Sequence, residues 1–522
     1  MNYPKNSIAE GTYKLSCLVA ERQYKMATFW QHKGSIDRAI TTYRQAIQSQ
    51  PNYIPGYLSL APLMYQQQRY DEAILICRQA LALGATEPWI ASYIEDSLIG
   101  KGEFADCDLQ SMSSIASQSQ AVLKVISDSA ESDSVNDKRR HILLYTNCPG
   151  TYGAEQISHL LMCHLVTQGY RITCVQSKAK NNLIESREAI GIEHIWLEGD
   201  ARQFLYSVTN TLEAIQIFKQ ARPHLIIFAD GEPMANIGAS QAAKRLGIPF
   251  IKIVHCVNVN WAEKFSAYLH LLPPIYQAAT AVISVSQANL TLMHDLYYLP
   301  EQIGRVIYNS CADLYFTPRN LEIRQEIRQS LKIPEDAIVV FTAARLVSSK
   351  GYQHQLTAIK TLKHSHVWGN LYFLWAGSGC EETELERQIE ALEVTDYVRM
   401  LGHRSDVDDL LDAADIFVLP SHFEGMPVSI LEAMAKGCAV AATKISGIPE
   451  MLGNTGKLLS DPNVNPEQTA QELADTLIEW AKKHSSRKSS AEACRQRAHL
   501  LFQQKNMIDA YAELIEAILI QD

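Results

Sequence analysis

The chain has 522 residues, 47% hydrophobic and 20% charged, which is the composition of folded globular protein and excludes a disordered, collagen-like or coiled-coil chain. With 47 Lys and Arg against 57 Asp and Glu, the formal net charge of −10 offers no general attraction for nucleic acid. The 11 cysteines form no Cys-x-x-Cys pair, against a zinc site or disulfide framework and in keeping with a reducing compartment. Met1–Glu10 lacks the basic-then-apolar order of a signal peptide, and no apolar run nears the ~20 residues of a membrane span. A soluble, cytoplasmic protein of about three domains is expected.

The front of the chain repeats itself. At an offset of 34 residues Ala27 meets Ala61, Asp37 meets Asp71, and Ala39-Ile40 meets Ala73-Ile74; Arg44-Gln45-Ala46 meets Arg78-Gln79-Ala80. Small side chains at these positions let two helices of a hairpin approach, and Trp30 and Tyr43 fill the space they leave. Pro51 closes the second helix. Gly34 recurs as Gly102, followed by Glu103-Phe104-Ala105, a degraded third copy. The pattern over residues 13–107 resembles tetratricopeptide repeats, which stack into a concave surface for a protein partner. A plain amphipathic helical bundle is the alternative. Residues 108–138 are Ser-rich and read as a linker. The basic run Lys138-Arg139-Arg140 that follows is either a solvated edge or a contact with anionic lipid, which would place the protein peripherally on the inner face of a membrane.

From His141 the grammar becomes strand, loop, helix, repeated. Strands are expected at His141–Thr146, Arg171–Gln176, Pro223–Ala229, Phe250–His255, Ala281–Val285 and Arg305–Tyr308. The pattern restarts with Ala337–Ala343, Tyr372–Ala376, Val398–Leu401, Ile416–Leu419 and Ala439–Ala442, and ends in an amphipathic helix, Lys505–Ile520. Short apolar runs alternating with helices imply parallel sheets covered on both faces. The fold class is therefore α/β: two doubly wound, Rossmann-like domains facing a cleft, preceded by an all-α repeat domain.

The second α/β unit holds the densest chemistry. Arg345 and Lys350, at a strand end leading into Gly351 and a helix, suit a diphosphate: a fork, a point charge and free backbone N–H groups. Gly377, in Ala376-Gly377-Ser378-Gly379, lets backbone approach a ligand or a neighbouring loop. In Pro420-Ser421-His422-Phe423-Glu424-Gly425-Met426-Pro427-Val428, Glu424 lies just past a strand; Glu432 follows on the next helix among Ile430, Leu431, Ala433 and Met434. The loop glutamate can reach sugar hydroxyls, the helix glutamate a ribose diol, and backbone N–H groups around Gly425 a phosphate.

Taken together, these residues and Gly447-Ile448-Pro449-Glu450 resemble the retaining glycosyltransferases of family four, whose two domains make the GT-B fold. The resemblance covers about residues 140–522. It implies an acceptor domain at 139–318, a nucleotide-sugar domain at 319–504 and a helix at 505–522 that returns to the acceptor domain. It assigns the donor to Gly153, Arg345, Lys350, Gly377, Glu424, Gly425, Met426, Pro427, Val428 and Glu432. The acceptor side falls to Tyr152, Gly153 and His255, and catalysis to His255, Glu424, Arg345 and Lys350. His255 ends a strand; it is a hydrogen-bonded structural histidine or, given the resemblance, a group beside the leaving-group or acceptor oxygen. The chain departs from the family in placing Tyr152 where paired glycines are usual and in reading Asn309-Ser310-Cys311-Ala312 before the interdomain crossing.

The resemblance further implies transfer from a nucleotide diphosphate sugar to a glycan, lipid or other acceptor with retention, by a front-face route in which the departing diphosphate takes the acceptor's proton. Asp406-Val407-Asp408-Asp409 reads as a helix start with acidic capping rather than a metal motif, so no cofactor and no metal are expected, nor a nucleic-acid partner. The rival reading is a repeat-domain scaffold whose transferase-like part binds nucleotide without turnover.

Overall fold

The computed structural model of the chain describes residues 6–67, 69–83, 139–148, 153–178, 182–202, 207–208 and 210–520. It opens with four helices, Asn6–His32, Ile36–Ser49, Ile54–Gln66 and Tyr70–Ala82. Ile36 and Tyr70 begin helices, and His32 and Gln66 end them, at the same offset as the sequence repeat. Ala27, Ala39, Ala46, Ala61, Ala73 and Ala80 are all buried, and the ring of Tyr43 is enclosed beside them. Tyr43 Oη donates to Gln31 Oε1 (2.9 Å) and Ser49 Oγ to Gln23 Oε1 (2.7 Å), so the first two helices run antiparallel. The expected third copy and the Ser-rich linker lie outside the described residues.

The first α/β domain carries a seven-stranded parallel sheet: β1 (His141–Thr146), β2 (Arg171–Ser177), β3 (Glu193–Leu197), β4 (Leu225–Asp230), β5 (Phe250–Val254), β6 (Ala281–Ser284) and β7 (Gly304–Val306). The order is β3-β2-β1-β4-β5-β6-β7, doubly wound from β1, which puts the topological switch between β1 and β4. The second domain repeats the plan with β8 (Ile338–Ala343), β9 (Leu371–Ala376), β10 (Val398–Met400), β11 (Ile416–Leu419), β12 (Ala439–Thr443) and β13 (Lys457–Leu459), in the order β10-β9-β8-β11-β12-β13. β1 and β4 are buried at every residue, as strands covered on both faces must be. Two edge strands, β3 and β13, escaped the sequence reading because they are short and half-exposed.

The two sheets are joined by specific contacts. Asn309 Nδ2 donates to Met426 O (3.0 Å), and the Glu450 carboxylate accepts from the N–H groups of Gln287 (2.8 Å) and Ala288 (2.7 Å) at a helix start on the other domain. The last helix, Gln504–Ile520, buries Met507, Ile508, Tyr511, Leu514 and Ile515 in the same core as Ile157 and Leu161 of the first domain. Arg140 donates to the carbonyl of Leu519 near that helix end, where a cation meets the negative end of the helix dipole. One expectation is corrected: the helix Val407–Ala413 does begin after Asp406, but Asp406 does not cap it. Its carboxylate is taken by the Arg404 guanidinium two residues away. No helix among the described residues is long and apolar enough to cross a membrane.

Candidate active site between the two sheets

On the second domain, the loops after β8, β9 and β11 interlock. Lys350 Nζ donates to Glu424 Oε1 (2.6 Å), and Ser421 Oγ donates to the same oxygen (2.8 Å). Glu424 is only 6% exposed, so a carboxylate enclosed there requires both partners. Gly351, at φ +77, has no room for a side chain: a Cβ would stand 1.9 Å from Pro420 O. The backbone N–H of His422 also donates to Ser349 O (2.9 Å), and His422 Nε2 pairs with His354 Nε2 (2.8 Å). Gly377 follows β9 and packs on Ala344, next to Arg345. Arg345 is exposed on the rim of this loop cluster, facing Cys148 at the end of β1.

Glu432 lies on the helix Val428–Ala435, which begins after Pro427, and is 5% exposed. Burial pushes its carboxyl up to about 7, against the pull of a hydrogen bond from Tyr315. Met426 is buried, with its carbonyl and its sulfur held by Asn309.

The first domain contributes Gly153, His255 and Glu232. Gly153 opens the helix Gly153–Thr167, and a Cβ there would meet Val428 Cγ2 at 3.1 Å; the residues expected to flank the donor from opposite domains are thus adjacent. His255 follows β5, and its carbonyl oxygen would be 1.8 Å from a Cβ at Gly425, so the two loops touch through backbone. The imidazole is 7% exposed, has no hydrogen-bond partner on either nitrogen among the described residues, and is held down to about 4 by burial, hence neutral. Tyr152 lies outside the described residues.

Sequence reasoning missed three elements of this site. Glu232, just past β4, has Oε2 buried without a partner among the described residues; burial, and then Asp230 nearby, push its carboxyl up to about 7. Asp230 itself forms a fully buried ion pair with Lys252 (2.6 Å), which ties the ends of β4 and β5 together. Trp261 and Phe423, from opposite domains, meet edge to face with ring centroids 5.3 Å apart. An acid ending an apolar strand was visible in Asp230-Gly231-Glu232; the aromatic pair, distant in sequence, left no signal.

Residues 323–497 match the family glycosyl transferases group 1, and residues 151–311 match glycosyltransferase family 4. Each of the two Rossmann-like domains is thus matched by a glycosyltransferase family. Curated relatives agree in kind. The amylovoran biosynthesis glycosyltransferase AmsK of Erwinia amylovora is 30% identical over 208 residues, 38% of this chain and 48% of AmsK. WcaL of Salmonella typhimurium, named as a candidate glycosyltransferase of colanic acid biosynthesis, is 27% identical over 277 residues, 51% of this chain and 64% of WcaL. The chain thus spans between about half and under two thirds of the length of these relatives. Among solved structures, HepE of Anabaena in complex with UDP superposes with a TM-score of 0.61 at 20% identity, over 72% of this chain and all of HepE, which shows that the two Rossmann-like domains share the GT-B fold.

Proposed function

We propose that this chain transfers a sugar from a nucleotide diphosphate sugar to an acceptor with retention of configuration. The observation that carries the reading is the Lys350–Glu424–Ser421 cluster, enclosed in the second domain and brought up against His255 of the first through Gly425. HepE, of the same fold, was solved with UDP and with UDP-glucose, which supports a nucleotide sugar as donor here.

In this reading Arg345 and Lys350 hold the diphosphate and stabilise the charge that grows on it as the glycosidic bond breaks. Glu424 shares Lys350 with the diphosphate and orients the donor sugar by its hydroxyls. Glu432 accepts from the ribose, and backbone from Gly425 to Val428 lies along the donor. The diphosphate that leaves takes the acceptor's proton on the same face, while His255, kept neutral, lines the sugar's other flank. No group of three or more His, Cys, Asp or Glu among the described residues is placed to hold a metal ion, and the reading uses none. The four N-terminal helices are two tetratricopeptide-like repeats that present a surface to a protein partner. The basic run before β1 serves to anchor the last helix through Arg140.

The test is turnover of UDP-, GDP- and ADP-sugars followed by proton NMR. Release of the nucleoside diphosphate with the donor's anomeric configuration kept in the first-formed sugar product supports the reading. Inverted product contradicts retention, and no turnover with any donor contradicts the transferase reading itself.

A further inference from the structure

The loop that carries Glu424 also carries a histidine for which the proposed reaction has no use. His422 lies two residues before Glu424, half-buried, where the loop after β11 meets the start of the helix Tyr352–Leu362. Its backbone N–H donates to Ser349 O (2.9 Å), beside Lys350, and its carbonyl accepts from Asn463 Nδ2 (2.8 Å) in the loop after β13. The ring continues the pattern. Nδ1 stands 3.0 Å from Asn463 Oδ1, while Nε2 stands 2.8 Å from His354 Nε2 and 2.9 Å from Gln353 Nε2. One residue thus ties three segments of the second domain together.

Elimination places the protons of this network. Asn463 Nδ2 spends its two hydrogens on His422 O and on Asp461 Oδ1 (2.8 Å), which turns Asn463 Oδ1 toward the ring. Facing an acceptor, His422 Nδ1 carries the hydrogen, and Nε2 keeps its lone pair. Gln353 is oriented independently: its Nε2 also donates to Ser348 O (3.1 Å), so a donor faces His422 Nε2 from there. His354 Nε2–H is the second donor. Burial, and then the neighbouring His422, hold the His354 imidazole down to about 4, so it stays neutral. A proton on His422 Nε2 would point at two N–H groups and break both bonds. The other charged groups nearby are Asp461, behind Asn463, and the Lys350–Glu424 pair, further along the two loops; among the described residues His354 is the one titratable group bonded to the ring.

We propose that His422 is a positioning residue for sugar transfer: its unprotonated Nε2 keeps the Glu424 loop in register with Lys350, and acid releases that loop. The inference rests on the glycosyl-transfer reading above, in which Glu424 orients the donor sugar. Misplacing a reacting group by about 1 Å costs on the order of 100-fold in rate. Arg345 and Glu432, which the ring does not touch, would still hold the nucleotide. Turnover therefore suffers before donor affinity does.

The experiment uses the full chain and whichever UDP-, GDP- or ADP-sugar it turns over. Both kcat and KM are followed from about pH 8 to about pH 5, the span in which imidazoles take a proton. His422→Leu, which offers no acceptor, should lower kcat about tenfold or more while KM for the donor moves less than about threefold. His422→Gln offers an oxygen to the same two donors and takes no proton. It should recover most of the wild-type kcat near neutral pH and lose the acid-side fall that the wild type shows at saturating donor. Wild-type kcat in His422→Leu, a His422→Gln variant no faster than His422→Leu, or an unchanged acid-side fall in His422→Gln would overturn the role and leave the transferase reading standing. Should His422→Leu fail to fold, imidazole nitrogen NMR of the wild type decides. His422 should show a protonated Nδ1 and a bare Nε2 coupled through the hydrogen bond to His354; a protonated Nε2 at neutral pH would overturn the proposal. A wild-type chain that turns over no donor would remove the transferase reading, and this role with it.

Discussion

The two α/β domains share a strand order yet differ in how far the polar groups of the loops beside the cleft are paired. On the second domain the carboxylates are met: Glu424 by Lys350 and Ser421, and Glu432 by Tyr315 from the segment that leads into that domain. On the first, Glu232, His255 and the amide of the wholly buried Asn289 have no hydrogen-bond partner among the described residues. The difference teaches where each half spends stability. The Lys350–Glu424–Ser421 cluster is paired in advance, so in the proposed reaction little reorganisation remains when charge develops on a leaving diphosphate. The first domain carries buried polar groups whose desolvation is unmet among the described residues.

The comparison is broken most severely at the point where the halves touch. Gly425→Ala would press a methyl group onto His255 O, and backbone cannot yield there as a flexible side chain would. We expect at least about 3 kcal/mol of lost stability and no detectable transfer, followed by urea unfolding and product assay. A stable, active variant would show that the loops do not meet.

Next comes the Lys350–Glu424 pair of the second domain. Lys350→Met leaves Glu424 enclosed without its cation and should cost about 3 kcal/mol or more, whereas Lys350→Met with Glu424→Gln should recover most of that loss. Both proteins should have lost transfer. A double variant no more stable than the single one would mean that the pair does not hold the two loops together.

A pH series sharpens the donor side further. In the proposed role Glu432 must be ionised to accept from both ribose hydroxyls, and burial pushes its carboxyl up to about 7. Nucleotide affinity should therefore weaken as pH falls through about 7, by up to about tenfold per unit well below it. The effect on folding has the opposite slope. A carboxyl raised in the folded state favours folding below its unfolded value near 4.5, and that contribution is lost as pH rises through about 7. Glu432→Gln should flatten the affinity profile in calorimetric titrations; an unchanged profile would take Glu432 out of nucleotide binding.

The smallest effect is expected at the cross-domain cap. Glu450→Gln keeps one acceptor for the helix start at Gln287 but removes the charge, for a loss of about 1 kcal/mol and a modest loosening seen as a lower melting temperature. A loss of several kcal/mol would mean that Glu450 holds the domains together almost alone.

Much of this architecture was legible in the sequence. Fully buried parallel strands must be apolar throughout, so runs such as Ile416–Leu419 stand out with correct bounds. Edge strands need not be, and β3, with Glu193 exposed, carries no such signature. Glu424 and Glu432 were readable as a pair because local spacing fixes them: they follow one strand and lie on one loop and one helix. The groups past β4 and β5 depend on contacts between distant segments. Lys252, inside an apolar strand, is tolerable only because Asp230 lies beside it on the adjacent strand, and Trp261 gains its meaning from Phe423. Asp406 shows the reverse hazard: an acid at a helix start looks like a cap until a nearby Arg404 claims it.

In the proposed function the second domain holds a nucleoside diphosphate through Arg345, Lys350 and Glu432. Thermal shift of the full chain against UDP, GDP and ADP, with Arg345→Ala alongside, tests it most directly. Ligand at about 100 times its dissociation constant should add roughly 2.7 kcal/mol, a rise of a few degrees, with one base favoured and the rise lost in the variant. No rise with any of the three, or an equal rise in Arg345→Ala, would contradict the account.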